Sequence, residues 1–233
     1  MTVLLYGAMA AEARALLEHV ADPVELSPIA GAPAWTGSIA GRPVLVVEGG
    51  IGLVNAAVTA TAAIASRLDA PVELIVSAGT AGGISAGAAV GDVVLVDRFV
   101  LGDADARAFG YELGQVPRMP ASYDGHAEAV ALAVELAAET GFPTRAGSAV
   151  STDSFIGAER SVRVLADFPG TAVVDMESAS LAQVGHRHGI PVAGVRAVSD
   201  LADDATFSMQ AEEAAARSAA TVAALLGRLT PRS

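Results

Sequence analysis

Four acidic residues stand where a carboxylate could do chemistry. Val173-Val174-Asp175-Met176-Glu177-Ser178 reads as a buried strand that runs out into a helix, with two acids at the junction. Glu12 follows Gly7-Ala8-Met9 at a similar strand-to-helix junction, and Asp200 follows Ser199 at the end of the last apolar run. Burying a carboxylate is costly unless it is paired or hydrogen-bonded. A helix first turn also favours acids through its dipole alone. Position by itself therefore leaves Glu12, Asp175 and Glu177 open between capping and catalysis, and Asp200 open as a loop cap. The chain has no cysteine, and its four histidines are scattered, with His186 and His188 on opposite sides of one helix. No thiolate nucleophile and no metal-like ligand set is expected. Carboxylates in pairs suit acid/base cleavage of an acetal-like bond, where one group protonates the leaving group and another activates water. Further negative charge would stabilise an oxocarbenium-like transition state.

These acids need elements to hold them. Strand-like runs at Thr2–Ala8, Glu73–Ser77, Asp92–Val100, Thr144–Val150, Val173–Val174 and Pro191–Val198 alternate with helical patterns, among them Leu53–Leu68, Asp124–Thr140, Glu177–His188 and Ser208–Leu229. Ala34–Ile39 and Pro43–Glu48 read as a hairpin around Gly41-Arg42. Alternation of this kind predicts an α/β fold, a three-layer αβα sandwich around a mixed, largely parallel twisted sheet. In open α/β sheets, ligands bind at the carboxyl ends of the strands. Those ends here carry Met9 and Glu12, the glycine loop Ala78–Gly83, Ser154-Phe155-Ile156, Asp175–Glu177 and Ser199-Asp200. Gly102–Pro120 is a long irregular segment, of the sort that builds a site or an interface. No linker or repeat divides the chain, so residues 1–233 are expected to form one domain.

Composition narrows the function. Net charge is −12 and every basic residue is arginine, none of them clustered, which argues against nucleic acid as a partner. Absence of lysine excludes Schiff-base chemistry and a P-loop lysine, and the glycine loop fits neither G-x-x-x-x-G-K-[ST] nor G-x-G-x-x-G. The 18 uncharged residues Leu74–Gly91 contain five glycines, so they read as strand and loop rather than a membrane span. Met1–Ala11 lacks the basic region of a signal peptide. A soluble protein is expected, of a composition compatible with the cytoplasm.

The order and spacing of several short pieces resemble the 5′-methylthioadenosine/S-adenosylhomocysteine nucleosidases, members of the nucleoside phosphorylase superfamily. These pieces are Gly7-Ala8-Met9 with Glu12, Gly50-Ile51-Gly52, Gly79–Gly83, Asp103-Ala104-Asp105, Ala108–Glu112, Gly114-Gln115, Ser154-Phe155-Ile156, Met176-Glu177 and Ser199-Asp200. The resemblance implies a hydrolase that releases adenine from 5′-methylthioadenosine and S-adenosylhomocysteine, with 5′-deoxyadenosine a further substrate, and that needs no cofactor. It implies Glu12 as the group activating water and Asp200 as the acid protonating adenine N7, with Ser199 beside it. Glu177 would grip the ribose hydroxyls, Met176 pack on the sugar, Phe155 stack on the purine, and the Ile156 backbone bond its edge. Thr80 stands where the family often has serine; Met9, Ile51 and Phe207 match apolar positions around the sugar and 5′-substituent. The resemblance also implies a cytoplasmic homodimer in which Phe109 enters the partner's pocket. Arg196 matches a strand position without an assigned role. Asp175 replaces the usual glutamate, Gly102 a common histidine, and Ala106 a bulkier residue; the last two are expected to loosen the 5′ side of the pocket. Two rivals are a phosphorylase, disfavoured because Glu12 would repel phosphate, and a non-catalytic nucleoside-binding protein.

Overall fold

The computed structural model describes residues 1–66, 70–202 and 207–230, the last stretch without the side chains of residues 207–209. Its strands are β1 (Thr2–Gly7), β2 (Ala21–Ile29), β3 (Ala32–Ile39), β4 (Arg42–Glu48), β5 (Val72–Gly83), β6 (Val93–Leu101), β7 (Tyr123–Asp124), β8 (Thr144–Ser151), β9 (Thr171–Asp175) and β10 (Val192–Asp200). Its helices are α1 (Ala10–Leu17), α2 (Leu53–Ala65), α3 (Ala127–Ala131), α4 (Ala133–Thr140), α5 (Ala158–Asp167), α6 (Ser178–His188) and α7 (Phe207–Arg228). One mixed sheet runs β10-β6-β8-β9-β5-β1-β4-β3-β2, and β10 also pairs with β5, so the first five strands close into a ring.

Successive residues of β1 show how the layers arise. Side chains alternate across a strand, so Val3 and Leu5 pack with Leu16 of α1, Leu136 of α4 and Leu225 of α7. Leu4 and Tyr6 face the other way, onto Ala56 and Ala60 of α2 and Leu181 of α6. Every residue of β1 is buried, as expected of a strand covered on both faces. The sandwich and its mixed sheet match the sequence expectation.

Three elements differ from it. β2 lies at the sheet edge, mostly exposed; its two prolines and alternating polar residues hide it, since proline is tolerated at an edge. The glycine loop is strand: β5 continues to Gly83, because Gly79–Gly82 pair with β10 and Gly82-Gly83 with β9. The helix expected over residues 124–140 is two, α3 and α4, meeting at Leu132. Of the helix expected at Leu53–Leu68, α2 accounts for Leu53–Ala65, and residues 67 and 68 lie outside the described part.

Ring closure is what positions the site. β10 is parallel to β5 and antiparallel to β6, while β8 and β9 follow β6. The two groups of strands therefore run in opposing senses. They still meet at their carboxyl ends, because the last residues of β5 pair antiparallel with Val173-Val174 near the end of β9.

Candidate active site

At the end of β1 the chain turns through Ala8-Met9 into α1, whose third residue is Glu12. The Glu12 side chain folds back: Oε2 accepts from the backbone N–H groups of Ala8 (2.7 Å) and Met9 (3.1 Å). Oε1 accepts from the Thr80 N–H (2.8 Å) and the Thr80 hydroxyl (3.2 Å). Glu12 is thus both a helix cap and a tie between β1 and β5, and it is buried. The strand beside it must be glycine. A Cβ on Gly79 would collide with Glu12 Oε1 and lie 2.7 Å from Arg196 Nη1.

Arg196, on β10, is the cation of the site and is 1% exposed. Its Nε meets Asp175 Oδ2 at 2.8 Å and donates to Ser178 Oγ at 2.9 Å, while Nη2 donates to Ser77 Oγ at 2.6 Å. Glu177 Oε2 lies farther off, 3.8 Å from Nη2. Burial works against the guanidinium's charge, but Asp175, Glu177 and Glu12 outweigh it and raise its pKa. Asp175 is fully engaged: besides Arg196 it accepts from the hydroxyls of Ser151 and Ser178 and from the Glu177 and Ser178 N–H groups. Here lies the role that the sequence left open for both residues: Asp175 holds Arg196.

Glu177 is placed differently. Its Oε1 accepts from the Gly52 N–H at 3.0 Å, so it caps the start of α2 across the pocket. Burial pushes its pKa up to about 7; Arg196 and the Gly52 N–H offset part of this, while Asp175 and Glu12 add to it. Asp153 secures the next residue of α2, accepting from the Leu53 N–H at 2.7 Å, and its own N–H donates to Asp103 at 2.9 Å.

At the far end of β10, Asp200 is buried and accepts from the Ser199 hydroxyl (2.8 Å) and the Ala202 N–H (2.9 Å). It sits beside Gly82 of β5, where a Cβ would come within 3.2 Å of Asp200 Oδ1. These walls line a mainly apolar cleft, bordered by Met9, Glu12, Ile51, Thr80, Phe155, Ile156, Met176, Glu177, Ser199 and Asp200 among others.

Ten of the twelve sequence-predicted site residues thus meet in one pocket. Phe109 does not; it sits 82% exposed at the end of a one-turn 3-10 helix (Arg107–Phe109). Phe207 begins α7, but its side chain lies outside the described part. Gly102 does not line the pocket of its own chain, and a Cβ there would come within 2.7 Å of Thr152 and Val150. Ala106 is buried and does not line the cavity in this chain. Sequence reasoning missed Asp153 and the serines around Arg196; the one signal was a charged residue inside an otherwise apolar strand, Val195-Arg196-Ala197. Among the described residues no group of three or more His, Cys, Asp or Glu side chains is arranged to hold a metal.

The closed mixed sheet and the acid-lined pocket at its strand ends are those of the phosphorylase superfamily, whose family model matches residues 2–229. A 5′-methylthioadenosine/S-adenosylhomocysteine nucleosidase of Listeria monocytogenes serotype 4b is 42% identical over 214 residues, 89% of this chain and 90% of that protein. The Neisseria meningitidis enzyme of the same name, solved with methylthio-immucillin-A, superposes with a TM-score of 0.92 at 35% identity, covering 98% of this chain and 99% of that one. A futalosine hydrolase of Helicobacter pylori superposes with a TM-score of 0.89 at 28% identity, covering 98% of both chains. Within the superfamily, the chain belongs to the 5′-methylthioadenosine/S-adenosylhomocysteine nucleosidase family.

Proposed function

We propose that the protein hydrolyses the N-glycosidic bond of 5′-methylthioadenosine and S-adenosylhomocysteine, and of 5′-deoxyadenosine, releasing adenine and the 5′-substituted ribose. One observation carries this reading: Glu12 and Asp200 flank the same strand, the first beside Gly79 and the second beside Gly82. Only Thr80 and Ala81 lie between those two glycines, and both carboxylates line the one pocket. A base and an acid on one pocket can act on a ribosyl group and a water held between them.

In this assignment Asp200 donates its proton to adenine N7 while the bond from C1′ to N9 breaks, its electrons passing into the purine. Water attacks C1′ and gives its proton to Glu12. Both Glu12 oxygens already accept two bonds; the longest, from the Thr80 hydroxyl, is the one a water can replace. Glu177 accepts from the ribose hydroxyls, Met176 and Met9 pack on the sugar, Phe155 stacks on the purine, the Ile156 backbone bonds its edge, and Ser199 holds Asp200. Glu12, Asp175, Glu177 and Asp200 against one guanidinium make a pocket that favours a cationic, oxocarbenium-like sugar.

The same charge balance disfavours phosphorolysis. Arg196 is committed to Asp175, Ser77 and Ser178, and the exposed Arg14 does not line the pocket. Neither offers phosphate a site there. The likeness to a futalosine hydrolase favours a second reading, a related nucleoside with a larger 5′-group.

The chain is read as one domain, 1–233, that works as a cytoplasmic homodimer without a cofactor. Exposed Phe109, and the exposed apolar stripe Ile51, Val54 and Val58 beside the pocket mouth, support the dimer and the donation of Phe109 to the partner's pocket. No helix of the described residues is long and apolar enough to cross a membrane. The test is adenine release from the three nucleosides, with and without phosphate. Free 5-substituted ribose in both conditions is expected. A ribose 1-phosphate product, or turnover of a futalosine-type nucleoside alone, would overturn the assignment.

A further inference from the structure

Tyr6 is among the largest fully buried side chains of the described residues, and none of the chemistry above uses it. It occupies the last inward position of β1 before the Gly7 turn and is 1% exposed. Its ring lies directly beneath Gly49, where any Cβ would collide with the ring edge. Its hydroxyl donates to the Gly50 carbonyl at 2.5 Å. Burial, with Glu177 and Glu12 nearby, pushes the phenol well above its ordinary pKa, so the group is a neutral donor.

The loop it holds is the one that serves the sugar end of the pocket. Residues 49–52 join β4 to α2. Ile51 lines the cavity, and the Gly52 N–H orients Glu177. The loop's other anchors come from elsewhere: the Gly49 N–H bonds the Gly7 carbonyl, Thr59 of α2 donates to the Gly49 carbonyl, and Asn55 to the Ile51 carbonyl. The Tyr6 hydroxyl is the side-chain bond that reaches this loop from the sheet.

We infer that Tyr6 is a positioning residue for ribose recognition, fixing through Gly50 the loop that places Ile51 and aims the Glu177 carboxylate. This rests on the nucleosidase reading, in which Glu177 takes the ribose hydroxyls and Phe155 and Asp200 take adenine. Loss of a group that acts equally on bound substrate and transition state raises KM and leaves kcat nearly unchanged.

The test is Tyr6→Phe, which keeps the ring under Gly49 and removes only the hydroxyl. For 5′-methylthioadenosine, KM is expected to rise about tenfold, the loss typical of one buried hydrogen bond, with kcat within twofold of wild type. Inhibition by adenine alone, which does not touch the loop, should keep its wild-type Ki. A merely structural hydroxyl would lower the melting temperature without this split. A folded variant with wild-type KM overturns the inference, as does equal weakening of nucleoside and adenine. A variant that cannot be recovered folded also counts against it, by making the hydroxyl a determinant of the fold. Wild-type enzyme that released no adenine would instead sink the nucleosidase reading, so the two failures are distinguishable.

Discussion

Replacing Glu177 by glutamine should make the protein more stable at pH 8 but about 10–100-fold less active. In the fold its pKa lies at about 7, above the 4.5 of a free side chain, with burial the main cause. A folded-state pKa above the unfolded one means that the folded protein binds the proton more tightly. The stabilising contribution is therefore complete below about pH 4.5 and disappears as pH rises through 7. Two to three pKa units correspond to roughly 3 kcal/mol. Glutamine stays neutral and can still accept from the Gly52 N–H. Arg196 loses only a partner at 3.8 Å and keeps Asp175 at 2.8 Å. Allowing for that loss, about 2 kcal/mol of stabilisation is expected at pH 8, a rise of about 4–8 °C in Tm for a chain of this size. At pH 5, where the wild-type carboxyl is protonated, the two melting curves should converge. Activity moves the other way, since a hydrogen bond from ribose to a charged acceptor is worth about 1.5–3 kcal/mol, or 10–100-fold in kcat/KM. Thermal melts of both proteins between pH 5 and 8 decide the matter. A variant less stable at pH 8, or an offset that does not change with pH, refutes the reasoning.

Asp200→Asn should lower kcat by about 10²–10⁴-fold, the usual worth of a general acid, while a tight nucleoside analogue still binds; near-wild-type turnover would remove Asp200 from the mechanism. Glu12→Gln should abolish hydrolysis by a similar factor in a folded protein, with adenine release as the readout. Asp175→Asn leaves Arg196 buried with its close counter-ion gone, so a loss of about 3–5 kcal/mol in urea unfolding is expected; a change under 1 kcal/mol would show that the serines suffice. Phe109→Ala should raise KM for 5′-methylthioadenosine without altering Tm, and an unchanged KM would argue against donation of Phe109 to a partner's pocket.

Much of the site could be read from the chain because each piece is local. Glu12 lies three residues past Met9 and caps its own helix, Ser199 bonds the Asp200 next to it, and Phe155-Ile156 is separated from the end of β8 by three residues. What stayed hidden depends on contacts between distant segments. Ser77, Ser151 and Ser178 look like ordinary small residues until β5, β8 and α6 bring their hydroxyls onto Arg196 and Asp175. The glycines of β5 read as a loop because turn chemistry is the commoner use of such a run. They are strand because Glu12, Arg196 and Asp200 press against backbone that has no side chains. The gathering of strand ends was expected from parallel strands. It arises from ring closure, which no local pattern encodes.

Asp175 and Glu177 show how hydrogen-bond supply divides two acids that the sequence cannot tell apart. A carboxylate offers about four lone-pair sites. Asp175 receives five donors: two serine hydroxyls, two N–H groups and the Arg196 Nε. Nothing remains for a ligand, and its partners satisfy its charge in the interior. Glu177 receives one close donor, the Gly52 N–H, and its second oxygen is 3.8 Å from Arg196. That oxygen is under-supplied, Glu177 lines the cavity, and burial, by removing water from a carboxylate so poorly supplied, lifts its pKa. A pair of vicinal sugar hydroxyls supplies the missing donors. Bound nucleoside should therefore draw the Glu177 pKa back down, and KM should improve as pH rises from 6 to 8, with the inflection near 7 in the free enzyme.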